Sequence, residues 1–118
     1  MLQLSAQTAI LLATQPQDFR KGIDGFVAVC RNSLQQNPRA DIRFVFINKN
    51  RTMLRVLAYD GSGYWLMTKR LSKGRFQNWP KSPNTVSPML ATELRELLKG
   101  EPKKIQNKSN KLNQLNKL

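Results

Sequence analysis

The sequence has no histidine at all and a single cysteine, Cys30, among its 118 residues. Zinc sites, His-based catalytic triads and disulfide frameworks therefore lack their ligands or partners. Acidic residues are also scarce. Seven Asp and Glu stand against twenty Lys and Arg, giving a formal charge of +13 and a pI near 10.7. Long apolar runs are missing: stretches such as Ala9 to Ala13 reach about five residues, against the roughly twenty that span a bilayer. No membrane partner is expected. No Lys or Arg precedes Arg20, and Gln3, Ser5 and Gln7 interrupt the first apolar stretch. The basic start of a secretory signal is absent, so a cytoplasmic location is expected.

What is present suits one small folded domain. Hydrophobic residues make up 40% of the chain, and a chain of this length can bury a single modest core. The charge excess favours a polyanion as partner. Residues 1–100 read as the domain. Residues 101–118 are a Lys/Asn-rich tail with widely spaced Ile105, Leu112, Leu115 and Leu118, too little apolar surface to pack alone. That tail reads as a solvated, disordered or fraying-helix segment, or as a basic arm for nucleic acid.

Hydrophobic periodicity divides the domain. Thr8 to Ala13 reads as a strand closed by Gln15-Pro16. From Asp18, a plausible N-cap, the residues Phe19, Ile23, Phe26, Val27, Cys30 and Leu34 recur at helical spacing up to Asn37-Pro38. Gly22 and Gly25 inside this helix have either of two uses. They permit close packing on a sheet, or close approach of a ligand beside Arg20 and Lys21. An antiparallel meander follows: Ile42 to Ile47, a turn at Asn48-Lys49-Asn50-Arg51, Met53 to Tyr59, a turn at Asp60-Gly61-Ser62-Gly63, and Tyr64 to Leu71. The asparagines of the first turn suit left-handed backbone. A last helix is predicted from Ser87 as N-cap, with a Leu90, Leu94, Leu97 and Leu98 stripe and Gly100 as C-cap. The expected fold is α+β, in the order β-α-β-β-β-α. Helices would cover one face of the sheet and leave the other for a partner.

Candidates for chemistry are few. Asp18 and Asp24 are six residues apart, which does not place them together on a helix. Asp60 is a turn residue, Asp41 precedes a strand, and Glu93 and Glu96 lie on the charged face of the last helix. A two-metal core needs converging acids, and no phosphate-binding or dinucleotide glycine pattern occurs. Neither catalysis, nor a metal, a cofactor or a small-molecule substrate is expected. The basic middle is richer. Between Arg43 and Lys81, nine basic residues face one acid, Asp60, and Tyr64, Trp65, Phe76 and Trp79 are interleaved. Such aromatics serve either as core or as stacking platforms. The candidate nucleic-acid contacts are Arg20, Lys21, Arg43, Lys49, Arg51, Arg55, Lys69, Arg70, Lys73, Arg75 and Trp79.

Several motifs together carry a family likeness. Asp18-Phe19-Arg20-Lys21-Gly22-Ile23-Asp24-Gly25, Phe44-Val45-Phe46 with its Asn-Lys-Asn-Arg turn, and Tyr59-Asp60-Gly61-Ser62-Gly63-Tyr64-Trp65-Leu66 are the first three. Lys69-Arg70-Leu71, Gly74-Arg75-Phe76 and Trp79-Pro80 complete them. In this order, from about residue 8 to Gly100, they resemble the TnpB accessory protein of IS-sixty-six-type bacterial insertion sequences. The tail after Gly100 falls outside the shared pattern, and Asn78 stands where many relatives carry another aromatic. The resemblance implies a mobile-element protein working beside a separate, larger transposase that holds the catalytic acids. It supplies no active-site residues. The expected role is a non-enzymatic DNA-binding factor at the element's ends, with the meander's basic residues on duplex phosphates. The alternatives are an adaptor for the transposase anchored by Trp65, Phe76 and Trp79, and an RNA-binding regulator.

Overall fold

The computed structural model describes residues 4–100, so the predicted tail lies outside the described residues. The element order is β1 (Ala9–Ala13), α1 (Ile23–Ala28), a π-helical turn (Val29–Ser33), β2 (Ile42–Ile47), β3 (Met53–Tyr59), β4 (Tyr64–Arg70), β5 (Val86–Pro88) and α2 (Ala91–Lys99). The fold is a small α+β domain built on one five-stranded mixed sheet, in spatial order β4-β3-β2-β1-β5. The predicted meander is present, with β2, β3 and β4 pairing antiparallel in sequence order. β1 pairs parallel with β2, Ala9 opposite Ile42. Parallel neighbours need a crossover connection, and α1 provides it.

Three expectations about elements are corrected. The sequence pattern does not predict β5: Ser87 and Pro88 lie opposite Leu12 and Leu11 in an edge strand rather than starting a helix, a place that tolerates proline. α2 therefore begins at Ala91, and Glu93 Oε1 accepts the Leu90 N–H at 2.8 Å. Leu90 is exposed, and Ala91 takes its place beside Leu94 in the core. The first helix starts not at Asp18 but at Ile23 after Gly22. Asp18 instead accepts the Arg20 N–H at 2.9 Å in a turn before the helix. At the other end the helix stops before Asn37, where Gln35 takes a left-handed φ of 57°.

Both faces of the sheet are covered, not one. Strand alternation sends Phe44, Phe46 and Leu57 to one side, where they pack with Phe26, Val27, Val29, Cys30 and Leu34. Val45, Ile47, Leu54 and Val56 point to the other side, against Leu94, Ala91, Phe76 and Trp79. The Cys30 thiol is buried in the first layer, and burial pushes its pKa up to about 12. The two helix glycines do not pack on the sheet. Gly22 has open space around it, while a Cβ on Gly25 would come within 2.6 Å of the Lys21 Cβ. Gly25 thus makes room for Lys21, whose ammonium lies 5.9 Å from the Phe26 ring centroid.

Candidate nucleic-acid interface

The strand pairings decide which basic residues meet. Ala13, Ile47, Met53 and Arg70 all lie at one end of the sheet, because β1 and β2 finish there, β3 begins there and β4 finishes there. The turn between β2 and β3 projects from this end. Asn48 Oδ1 holds it by accepting the N–H groups of Thr52 and Met53 at 2.9 and 3.1 Å, and Asn48 Nδ2 donates to Thr52 Oγ1. The residue with left-handed backbone is Arg51, at φ 62°, and not an asparagine. The segment after β4 folds back onto the same turn: Leu71 N–H donates to the Thr52 carbonyl at 3.0 Å and Phe76 N–H to the Arg51 carbonyl at 2.7 Å. On the other flank Gln17 N–H donates to the Ile47 carbonyl at 2.9 Å, bringing Arg20 and Lys21 alongside.

One end of the molecule therefore gathers Arg20, Lys21, Lys49, Arg51, Lys69, Arg70, Lys73 and Arg75. Lys49, Lys69, Arg70, Lys73 and Arg75 are exposed and Arg51 is half-buried. The acid found among them is Asp18, which is bound to Arg20 through a 2.6 Å contact. The side-chain hydrogen bond from Arg20, then its backbone N–H, hold the Asp18 carboxyl well below the usual carboxylate range. Arg20 is nonetheless 91% exposed in its side chain.

Three predicted contacts do not join this group. Arg43 is at the opposite end, beside Ile10 in register and 3.5 Å from Asp41. Arg55 is occupied internally. Its Nη1 donates to the carbonyls of Phe19 and Lys21 at 2.7 and 3.1 Å, its Nε donates to Thr68 Oγ1 at 2.9 Å, and its guanidinium lies over Phe19 and Phe26. Trp79 is 5% exposed and donates its indole N–H to the Ala13 carbonyl at 3.1 Å. Its ring is a core element and offers no stacking surface; the same holds for Phe76, 1% exposed. Asn48 reads as a turn residue from sequence, but its side-chain bonds to Thr52 and Met53, which shape the basic turn, do not, although an asparagine opening a turn with a threonine four residues on is a readable signal.

The exposed aromatic is Trp65, at 60%, and it lies at the far end, opposite Ala58. Asp60 fixes it there by accepting the indole N–H at 2.9 Å. The same carboxylate accepts the backbone N–H groups of Ser62 and Gly63, and these bonds, Ser62 foremost, hold it well below the usual range. Asn78 adopts a left-handed φ of 60°, which asparagine tolerates better than an aromatic side chain would. Among the described residues no helix is long and apolar enough to cross a membrane.

Comparison with known proteins gives the chain's family. The family model described as IS66 Orf2 like protein matches residues 8–108, eight residues further than the motifs alone suggested. The uncharacterized protein y4jC of Sinorhizobium fredii (strain NBRC 101917 / NGR234) is 42% identical over 76 residues, 64% of this chain and 65% of its own length. The chain thus spans just under two thirds of that relative. The uncharacterized protein y4hO of the same strain is 32% identical over 100 residues, covering 85% of this chain and 86% of its own. No solved structure matches. With the family model covering most of the chain, the protein belongs to the IS66 Orf2 like family, the TnpB accessory proteins of IS66-type insertion sequences.

Proposed function

We propose that this protein is a non-enzymatic accessory factor of transposition that grips duplex DNA by its phosphates through the basic end of the sheet. The observation that carries the reading is the tie between the β2–β3 turn and the segment after β4, through Leu71 to Thr52 and Phe76 to Arg51. It brings Lys49, Arg51, Lys73 and Arg75 together from sequence positions more than twenty apart. Clustered cations of this kind release counterions on binding a polyanion and so give affinity without base readout. The proposed contacts are Lys49, Arg51, Lys69, Arg70, Lys73 and Arg75, with Arg20 and Lys21 on the flank.

The test is fluorescence anisotropy with duplexes from the element's ends and a scrambled duplex across a range of salt. Replacing Lys69, Arg70, Lys73 and Arg75 together by Ala weakens binding and lowers the steepness of log affinity against log salt by about three to four, since each phosphate contact contributes about 0.9. An unchanged affinity and slope in the folded quadruple variant refutes the site. Preference for single-stranded RNA over the duplexes assigns the surface to RNA instead. A second reading, an adaptor for the transposase, is supported by Trp65, an exposed aromatic fixed by Asp60; its mark is nuclease-insensitive capture of the transposase that Trp65→Ala abolishes.

A further inference from the structure

β4 is an edge strand, with β3 on one side and none of the described strands on the other. Which backbone groups it leaves open follows from the pairing. Leu71 N–H donates to the Thr52 carbonyl and Asp60 N–H to the Gly63 carbonyl, so 52/71 and 60/63 are hydrogen-bonded pairs. Such pairs alternate along an antiparallel ladder. Residues 63, 65, 67, 69 and 71 therefore point their backbone groups toward β3, whereas Tyr64, Leu66, Thr68 and Arg70 point theirs outward. The close side-chain contacts of Tyr59 with Tyr64 and of Arg55 with Thr68 agree, since side chains approach more closely in non-hydrogen-bonded pairs. Among the described residues the outward groups meet no backbone partner.

We infer that β4 is a pairing edge for a second copy of this chain, antiparallel and centred on Met67. This goes beyond the proposed grip on DNA and does not depend on it, although Lys69 and Arg70 belong to both surfaces. Of the two-fold registers that match hydrogen-bonded positions, the one centred on Met67 engages all four outward residues: Tyr64 opposite Arg70 of the other copy, and Leu66 opposite Thr68. With one donor and one acceptor each, they form about eight hydrogen bonds across the seam. Centring on Leu66 or Thr68 leaves residues at one end unpaired.

The side chains suit the same register. Edge strands usually discourage pairing by carrying charge, and β4 carries Lys69 and Arg70. Centred on Met67, however, each Lys69 falls opposite an exposed Trp65, which suits a cation over an aromatic ring, and each Arg70 opposite a half-buried Tyr64. The two Lys69 side chains are offset by four residues, roughly 14 Å along the strand, beyond the screening length of about 8 Å at physiological ionic strength. The strand is thus complementary to itself in charge as well as in hydrogen bonding. Pairing would join two sheets into one of ten strands.

The test uses the full chain, freed of nucleic acid by nuclease and high-salt washing, in sedimentation velocity from about 1 to 100 μM, the weaker range of specific association. The wild type shows a concentration-dependent dimer. Trp65→Lys sets like charges opposite each other twice per dimer and raises the dissociation constant about tenfold or more, while Trp65→Glu, which faces Lys69, leaves it within about threefold. Equal loss in both variants overturns the register. The second measurement is cross-linking. Met67→Cys places two thiols face to face in a non-hydrogen-bonded pair, within the Cα range a disulfide allows, and forms a covalent dimer on mild oxidation. Lys69→Cys does not. A wild type that stays monomeric to 100 μM, or equal cross-linking of both cysteine variants, overturns the inference.

Discussion

Substituting Arg55 distinguishes a clasp that holds the fold together from a contact to DNA phosphate. The side chain donates two hydrogen bonds to the carbonyls of Phe19 and Lys21, a third to Thr68, and stacks over Phe19 and Phe26. Together these hold the segment before α1 against β3 and β4. A hydrogen bond from a charged donor contributes about 1.5–3 kcal/mol and a cation over a ring about 0.5–1 kcal/mol. The contributions share one side chain and do not add fully. Arg55→Met is expected to cost about 3 kcal/mol. Arg55→Lys keeps the charge but has no planar fork to serve two carbonyls and a hydroxyl at once, so it costs about 2 kcal/mol. Urea unfolding followed by tryptophan fluorescence reports the loss, because Trp79 is buried. For DNA, the folded Arg55→Lys protein binds with the wild-type salt slope. A stability within about 0.5 kcal/mol of wild type, combined with a flattened salt slope, would refute the assignment and return Arg55 to the binding surface.

Three further expectations follow from individual residues. Arg51→Gly relieves left-handed backbone at φ 62° and raises stability by about 1 kcal/mol, an upward Tm shift of roughly 4–8 °C, while weakening DNA binding; calorimetry and anisotropy on the same sample read both. Trp79→Phe leaves the Ala13 carbonyl without its indole donor and costs about 1–3 kcal/mol in urea unfolding. The depressed acidity of Asp60 has a definite sign. A carboxyl whose pKa is lower folded than unfolded contributes its stabilisation fully above the unfolded value, near 4, and loses it as pH falls toward the folded value. Between pH 5 and pH 2 the urea midpoint of the wild type falls, and that of Asp60→Asn falls less.

What could be read from the chain in advance was what local chemistry controls. β2 and β3 were placed to the residue because alternation and turn residues bound them on both sides, and Gly100 caps α2 with a left-handed φ of 66° as expected. β5 escaped because Val86-Ser87-Pro88 is too short for a periodic signal and its partner, β1, is more than seventy residues away. Asp18 reads as a helix cap because aspartate readily accepts a nearby backbone N–H, and a turn uses the same bond, as it does here from Arg20. The site was legible as a composition and not as a place. Lys, Arg and Trp in one segment cannot say which of them fold inward. Only the tertiary pairing turns Arg55 onto the carbonyls of Phe19 and Lys21, buries Trp79, carries Arg43 to the far end, and brings Arg20 and Lys21 alongside the turn.

That DNA binding depends on where the charge sits, and not on its total, is tested most directly by two charge-matched variants. Lys73→Ala with Arg75→Ala removes two cations from the basic end; Arg39→Ala with Arg43→Ala removes two from the far end, where they neighbour Tyr59 and Asp41. Measured on the same duplex over the same salt range, the first pair lowers the steepness of log affinity against log salt by about two and the second leaves it unchanged. Equal losses in the two proteins would mean that net charge alone binds DNA, and would contradict the account.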